Sequence, residues 1–490
     1  MKRQDIEDIF HPRAIAIVGA SSDINRGASL FLKALLRIGY EGAIYPVNPN
    51  VREAYGLKTY PSLRNIPGPV DHVIVGVPAH LAPTIVADAV AKGARSLHFF
   101  TSGFAETATA TGRALQERIA AIAHGRIRII GPNCMGIYYP KMKICFADDQ
   151  VATAGTAAFV SQSGGLATYF ARNAIQEGNF CSKVISIGNS SDLHLSDFLE
   201  YFAEDSETET ISMYIEGLAN GEGQSFLAAL ATATPHKPVL IWKGGKSEQG
   251  ARAALGHTGA MASDTRLWQT VPRQFGATLV DSIEEMQDFI KLHRMTPPPA
   301  GTRCCVVTFG GGSSVATSDI CAQVGIILPP LTQETQEALA EFIPPMGTIR
   351  TNPVDVSMSG WQPGTLARSL AIVAADPGVD AVIFATQLGF IAGSKEHFGV
   401  SPHEILDFQA REIAAAREQI AVPLVCNNPI AYEDLALEDL RLHFKKTLAS
   451  NGIPAILTME RTALALKRYY EWHRFATQRA TLNGGNCSTE

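Results

Sequence analysis

No stretch of this 490-residue sequence holds the roughly 18 consecutive apolar residues that a membrane-crossing helix requires. The opening MKRQDIEDIF places acidic residues where a secretory signal would place its apolar run, so the expected home is the cytoplasm, with no membrane association. Cysteine is scarce and scattered: eight residues with no C-x-x-C pair argue against a zinc site or a disulfide framework. Cys304 and Cys305 are adjacent in a run that reads as a buried strand, and they are expected to be reduced core residues. Long runs of Lys or Arg are also lacking. With 41 basic and 47 acidic side chains the formal net charge is -6, which makes nucleic acid an unsuitable partner.

What is present suits a turn-rich α/β protein: 46% apolar residues, 42 Gly and 27 Pro in a chain long enough for about three domains. From Ala14 onward short β-rich runs alternate with helical stretches, the pattern of parallel sheets covered on both faces. A doubly wound, Rossmann-like domain is expected over 1–147, with strands at 14–18, 43–47, 73–77, 97–100 and 127–130. A flavodoxin-like domain is expected over 148–296, with strands at 156–160, 183–187, 210–214, 239–242 and 277–280. The stretch RMTPPPAGTR (294–303) excludes helix and reads as a linker. A third domain over 297–478 follows, with strands at 304–308, 381–385, 422–426 and 454–457, and 479–490 is expected to form a flexible tail. The second and third domains read as an internal duplication, because Gly164, Gly165 and Gly178 match Gly311, Gly312 and Gly325 at one constant offset.

Several loops are suited to chemistry. After the first strand, GASSDINRGA offers Gly19 and Gly27 for close backbone approach and a helix N-terminus for phosphate, although a tight strand-to-helix turn would use the same residues. VNPN (47–50) and VPAH (77–80) would converge on the same crevice. SQSGG (161–165) brings two hydroxyls and an amide to a helix start, suited to a phosphoryl group or simply to a serine cap. GPNCMGI (131–137) reads as a turn closing the first domain. KGGKSEQGARAALGHTGA (243–260) is a Gly- and Ala-rich loop bearing His257, whose neutral imidazole would attack well near pH 7 and leave well afterwards, as a phosphoryl carrier must. Glu216, just beyond a strand, could hold the other ring nitrogen.

These segments together give the chain its family resemblance. IAIVGAS, IYPVNPN, GLKTYPSL, VDHVIVGVPA, TSGFAE, GPNCMGI, SQSGG, YIEG, ARAALGHTGA, LTQETQ and TNPVD follow one another as in acyl-CoA synthetases of the ADP-forming type. More distantly the chain resembles the α subunit of succinyl-CoA synthetase. The resemblance implies an N-terminal CoA-binding domain and two succinyl-CoA-synthetase-like domains, with His257 as the phosphorylated residue and Glu216 steadying it. It implies that Ser161, Ser163, Gly164 and Gly165 receive the phosphoryl group, and that Gly19, Ser21, Asn48, Pro78 and Ser102 lie on the stretches that embrace CoA. The loop SDINRG departs from the family's usual Pro, Gly and Lys before its glycine. No ATP-grasp domain is found in this sequence, so a separate ATP-grasp β subunit is expected to supply ATP and Mg²⁺, in an α2β2 heterotetramer. The competing readings are a CoA-binding regulatory subunit and a related acyl or carbamoyl transferase; the pairing of GHTGA with YIEG favours the carrier enzyme.

Overall fold

Runs of β-branched and small apolar residues become strands wherever both of their faces can be covered. Ala14–Val18 (β1) is buried at all five positions, as a central strand of a parallel sheet must be. It pairs in parallel with Ala43–Val47 (β2) on one side. Beyond β2 a small antiparallel hairpin joins Glu53–Ala54 (β3) to Leu57–Lys58 (β4). On the other side of β1 lie His72–Val75 (β5), Ser96–Phe99 (β6) and Arg128–Ile130 (β7), giving the order β2-β1-β5-β6-β7. Helices Ser29–Ile38, Ala82–Lys92 and Ala110–Ala123 make the crossovers. Val73, Val75, Leu97, Phe99, Phe104 and Ile119 are among the buried side chains of the core beside this sheet. The computed structural model describes residues 3–23, 27–219, 221–250, 252, 265–395, 399–429 and 434–484. These fall into two compact units, one formed by the chain up to Met286 together with the C-terminal segment from Arg479, the other running from Gln287 to Gln478.

A second sheet in the first unit is built from Gly136–Tyr138 (β8), Ala157–Ser161 (β9), Cys181–Ser186 (β10), Thr210–Ile215 (β11), Val239–Lys243 (β12) and Thr278–Val280 (β13). Its order is β13-β12-β11-β9-β10-β8, parallel except for β8 at the edge. That edge strand corrects the reading of Gly131–Ile137 as turn throughout. Ile137 and Tyr138 are buried, and Tyr138 donates to Val151 O at 2.8 Å, so burying this apolar pair against β10 prevails over a solvated loop.

The second unit repeats the plan. Cys304–Thr308 (β14), Val354–Asp355 (β15), Ala381–Ala385 (β16), Leu424–Asn427 (β17) and Ala455–Ile456 (β18) form a parallel sheet in the order β15-β14-β16-β17-β18. The helices after β9 and β14, Gly164–Glu177 and Gly311–Val324, are each 14 residues long. Each is closed by a left-handed glycine, Gly178 and Gly325, which agrees with the offset read from the sequence. β15 was not anticipated, because two residues carry no periodicity. The tail also differs from expectation: the helix Met459–Gly484 continues past Thr477, on a run of good helix formers such as Gln478, Arg479 and Ala480. Cys304 and Cys305 are interior and free, and burial pushes both thiols up, so they stay protonated.

Candidate functional site

In the first sheet the chain moves to β2 on one side of β1 and then to β5 on the other. The loops leaving the carboxyl ends of β1 and β5 therefore separate and leave a crevice. Backbone approach there is unusually close. Gly19 has φ +94°, and a Cβ on it would lie 2.5 Å from Gly76 O and 2.9 Å from Val77 Cγ1. A Cβ on Gly76 would lie 2.5 Å from Ala28 N at the start of the next helix. Only bare backbone fits at this crossing, so N–H groups and the helix start are brought up to whatever enters.

The surrounding loops are laced together. Asn48 Nδ2 donates to Ala20 O at 2.9 Å while its Oδ1 accepts Asn50 N at 2.9 Å, and Thr101 Oγ1 donates to Val77 O at 2.7 Å. Pro78 is exposed and precedes the short turn Ala79–Leu81. Ser102 is exposed on a turn that Glu106 closes by accepting from Gly103 N at 2.6 Å and Phe104 N at 3.1 Å. Gly19, Asn48, Pro78 and Ser102 thus all follow carboxyl ends of neighbouring strands. Ser21 is different: it is buried, and its hydroxyl lies 3.1 Å from Ser29 Oγ, so it ties the loop to the helix. Residues 24–26 of the same loop lie outside the described residues.

The second sheet reverses direction in the same way between β9 and β11, and here the other predicted residues meet. Ser161 ends β9 fully buried; its hydroxyl donates to Ser163 O at 2.7 Å and accepts Ser163 N at 3.0 Å, so it shapes the turn from beneath. Ser163 caps the helix Gly164–Glu177 by accepting Leu166 N at 3.4 Å. Gly165 is exposed at the helix start, with nothing nearer its Cβ position than Ser163 Oγ at 3.9 Å, whereas Gly164 packs on Met135. The first turn of this helix therefore offers open N–H groups to an anion.

Glu216 follows β11 and is nearly buried. The loop that carries it is fastened to the SQSGG turn by Gln162, a residue the sequence reading mentioned only as an amide. Gln162 Oε1 accepts Glu216 N at 2.6 Å and Gly217 N at 3.1 Å, and its Nε2 donates to Gly217 O at 2.8 Å. Lys243, at the end of β12, donates from Nζ to Glu216 O at 2.9 Å. Burial draws the Lys243 ammonium below its usual pKa, while the Glu216 carboxylate opposes that shift. Tyr214 hydrogen-bonds Glu216 through its hydroxyl, and burial followed by that carboxylate pushes the phenol up. Glu216 is thus positioned by three residues that sequence reasoning did not single out. His257 lies outside the described residues, which on this side end with Gly250 and Arg252 and resume at Thr265.

Among the described residues no group of three or more His, Cys, Asp or Glu is placed to hold a metal ion, and no helix is long and apolar enough to cross a membrane.

Comparison with known proteins is consistent along the chain. A CoA binding domain matches residues 13–140, a succinyl-CoA ligase like flavodoxin domain matches 154–293, and a Ligase-CoA domain matches 304–428. Over 390 residues the chain is 35% identical to the α subunit of ADP-forming acetate–CoA ligase II of Pyrococcus furiosus, covering 79% of this chain and 84% of that one. The α subunit of ligase I of the same organism is 29% identical over 96% of this chain and 98% of that one. Among solved structures, acetyl-coenzyme A synthetase 1 of Ca. Korarchaeum cryptofilum in complex with phosphate and ADP superposes with a TM-score of 0.81. It is 29% identical, with 99% of each chain covered.

Proposed function

This chain belongs to the family of ADP-forming acetate–CoA ligase α subunits, and from that membership we propose that it is the CoA-binding, phosphohistidine-carrying subunit of a cytoplasmic ADP-forming acyl-CoA synthetase. The net reaction is acid + CoA + ATP ⇌ acyl-CoA + ADP + phosphate. An ATP-grasp β subunit would hold ATP with its Mg²⁺, in an α2β2 assembly. The observation that carries the reading is the meeting of the SQSGG helix start with Glu216 at the reversal point of the second sheet, joined through Gln162. It supplies an anion-binding helix terminus beside a fixed carboxylate, the two things a phosphorylated imidazole needs.

Three transfers follow. A ring nitrogen of His257 bonds to the γ-phosphorus of ATP and ADP leaves. A carboxylate oxygen of the acid then attacks that phosphorus, which frees His257 and yields an acyl phosphate. Finally the thiol sulfur of CoA attacks the carbonyl carbon, phosphate leaves, and the thiol proton passes to solvent. The N–H groups at Gly164 and Gly165 stabilise the phosphoryl oxygens at each stage, and Glu216 accepts a hydrogen bond from the second ring nitrogen. The fit of CoA to the first crevice rests on the Gly19–Gly76 crossing, a cradle that any Cβ would fill.

Replacing His257 by Asn tests the carrier. The variant should bind CoA normally but take up no acid-labile, base-stable phosphate from ATP in the presence of the partner. Turnover at the wild-type rate in that variant would make the carrier role wrong.

A further inference from the structure

One short loop of the first unit joins the two candidate sites, and none of the three transfers uses it. It leaves β10 beside the SQSGG turn, where Ile187 N donates to Ser161 O at 2.8 Å. It then crosses to the turn that follows β7: Asn189 N donates to Pro132 O at 2.9 Å and Ser191 N to Gly131 O at 2.9 Å. Gly188, with φ +46°, allows that crossing, because a Cβ on it would lie 2.2 Å from Pro132 O and 2.4 Å from Asn133 O. Asp192 anchors the far end by accepting Arg128 Nε and Nη2, each at 3.0 Å, and Ile129 N at 2.8 Å. Two parallel hydrogen bonds from one guanidinium fix geometry as well as charge.

Asn189 is the residue of this loop that reaches the CoA side. Its Nδ2 donates to Glu106 Oε2 at 2.5 Å and to Gln116 Oε1 at 2.9 Å. Both neighbours accept, so the amide nitrogen is the atom that must face them. Glu106 in turn accepts Gly103 N at 2.6 Å and Phe104 N at 3.1 Å, and Gln116 Oε1 accepts Ala105 N at 3.3 Å. Three successive backbone N–H groups after Ser102 are therefore held by the two side chains that Asn189 ties together. Burial pushes the Glu106 carboxyl up, but the Asn189 amide and the N–H groups of Gly103 and Phe104 outweigh it and leave the group below the usual carboxylate range.

We infer that Asn189 is a positioning residue for the transfer to CoA: through Glu106 and Gln116 it locks the Ser102 turn of the CoA crevice to the loop that starts at the SQSGG turn. This rests on the function proposed above. Asn189 itself touches neither CoA nor the phosphoryl group; it keeps the pocket for one in register with the pocket for the other. The lock holds only while Nδ2 has hydrogens to donate, because an oxygen in its place would face two acceptors. A displacement of about 1 Å between reacting groups is enough to cost on the order of a hundredfold in rate.

The assembled enzyme, with its ATP-grasp partner, tests this through Asn189→Asp, which keeps the side-chain shape and removes both donors. The variant should lower kcat/KM for CoA by roughly tenfold or more, the scale of a lost hydrogen bond to a charged group. KM for ATP and for the acid should stay within about twofold of wild type, and so should the rate at which ATP and partner label the chain with phosphate when CoA is left out. Adding Glu106→Gln to Asn189→Asp returns a donor and an acceptor to the pair with their places exchanged, and should recover most of the loss. A CoA kcat/KM within about twofold of wild type in Asn189→Asp would overturn the inference. So would a parallel loss of labelling, which would make the residue structural only, or no recovery in the double variant. Labelling of the wild-type chain without CoA reports on the carrier independently. Its absence sinks both readings, and labelling with CoA kinetics unmoved by Asn189→Asp sinks this one alone.

Discussion

Gly19 shows what a single hydrogen in place of a side chain accomplishes. At φ +94° an L-residue is strained whatever the space, and here the space is also taken, by Gly76 O at 2.5 Å. Gly19→Ala should force the β1 and β5 loops apart, costing roughly 1–3 kcal/mol of stability and weakening CoA binding by about tenfold or more. Thermal unfolding and isothermal titration with CoA read the two effects, and an alanine variant that binds CoA as tightly as wild type would remove this crevice as the CoA site. Gly19 was legible in the sequence because a glycine after a β-rich run marks a close approach. What it approaches was not legible: Gly76 is 57 positions away, and only the pairing of β1 with β5 brings it near. Gln162 gives the same lesson. Its residue type was visible inside SQSGG, but its three hydrogen bonds to the Glu216 loop span more than fifty residues and depend on β9 lying beside β11.

Among the elements, strands buried on both faces were the most legible. Ala14–Val18, Cys304–Thr308 and Ala381–Ala385 stand where their apolar runs begin and end. Elements decided by a partner strand were not, as β8 and β15 illustrate. Strands β5 and β6 also bury polar groups whose role is thermodynamic. His72 Nδ1 lies 2.8 Å from Ser96 Oγ, and its Nε2 lies 3.0 Å from His98 Nδ1. Burial holds His72 down at about 4, against a weaker upward pull from Asp71. His98 is held well below the ordinary range by burial and then by His72. Both rings bind protons more readily in the unfolded chain, so their contribution is complete above about pH 6.5 and is lost as pH falls through each ring's folded value, about 4 for His72. For His72 alone the loss between pH 7 and 5 is about 2 kcal/mol. Glu207 does not contribute in that window: burial pushes its carboxyl up, but hydrogen bonds from Lys141, Lys183 and Tyr139 outweigh it and leave it at about 2. The urea midpoint should therefore fall between pH 7 and 5, and His72→Asn should flatten that slope. A wild-type midpoint unchanged across the interval would contradict the assignment.

At the scale of the molecule, three sheets share one arrangement: the first parallel strand is flanked by the second and the third, with the fourth and fifth beyond the third. Each sheet therefore reverses direction beside its first strand. In the two sheets of the first unit that reversal point carries a distinct candidate site, the Gly19–Gly76 crossing and the meeting of SQSGG with Glu216. The division of labour with an ATP-grasp partner is part of the proposal and is open to direct test. The chain alone should bind CoA by titration yet release no ADP from ATP, and adding the ATP-grasp partner should restore acid- and CoA-dependent ADP release. Acyl-CoA formation by the isolated chain would remove the need for a partner. The sequence by itself determined the alternation of strand and helix, the glycine turns, the repeat and the residue types available for phosphoryl transfer, because these follow from local periodicity and backbone freedom. Only the tertiary structure decided that Gly76 closes on Gly19, that Gln162 and Lys243 hold the Glu216 loop, and that Asn189 reaches Glu106. Those arrangements depend on which strand lies next to which, a matter of long-range pairing that no local pattern encodes.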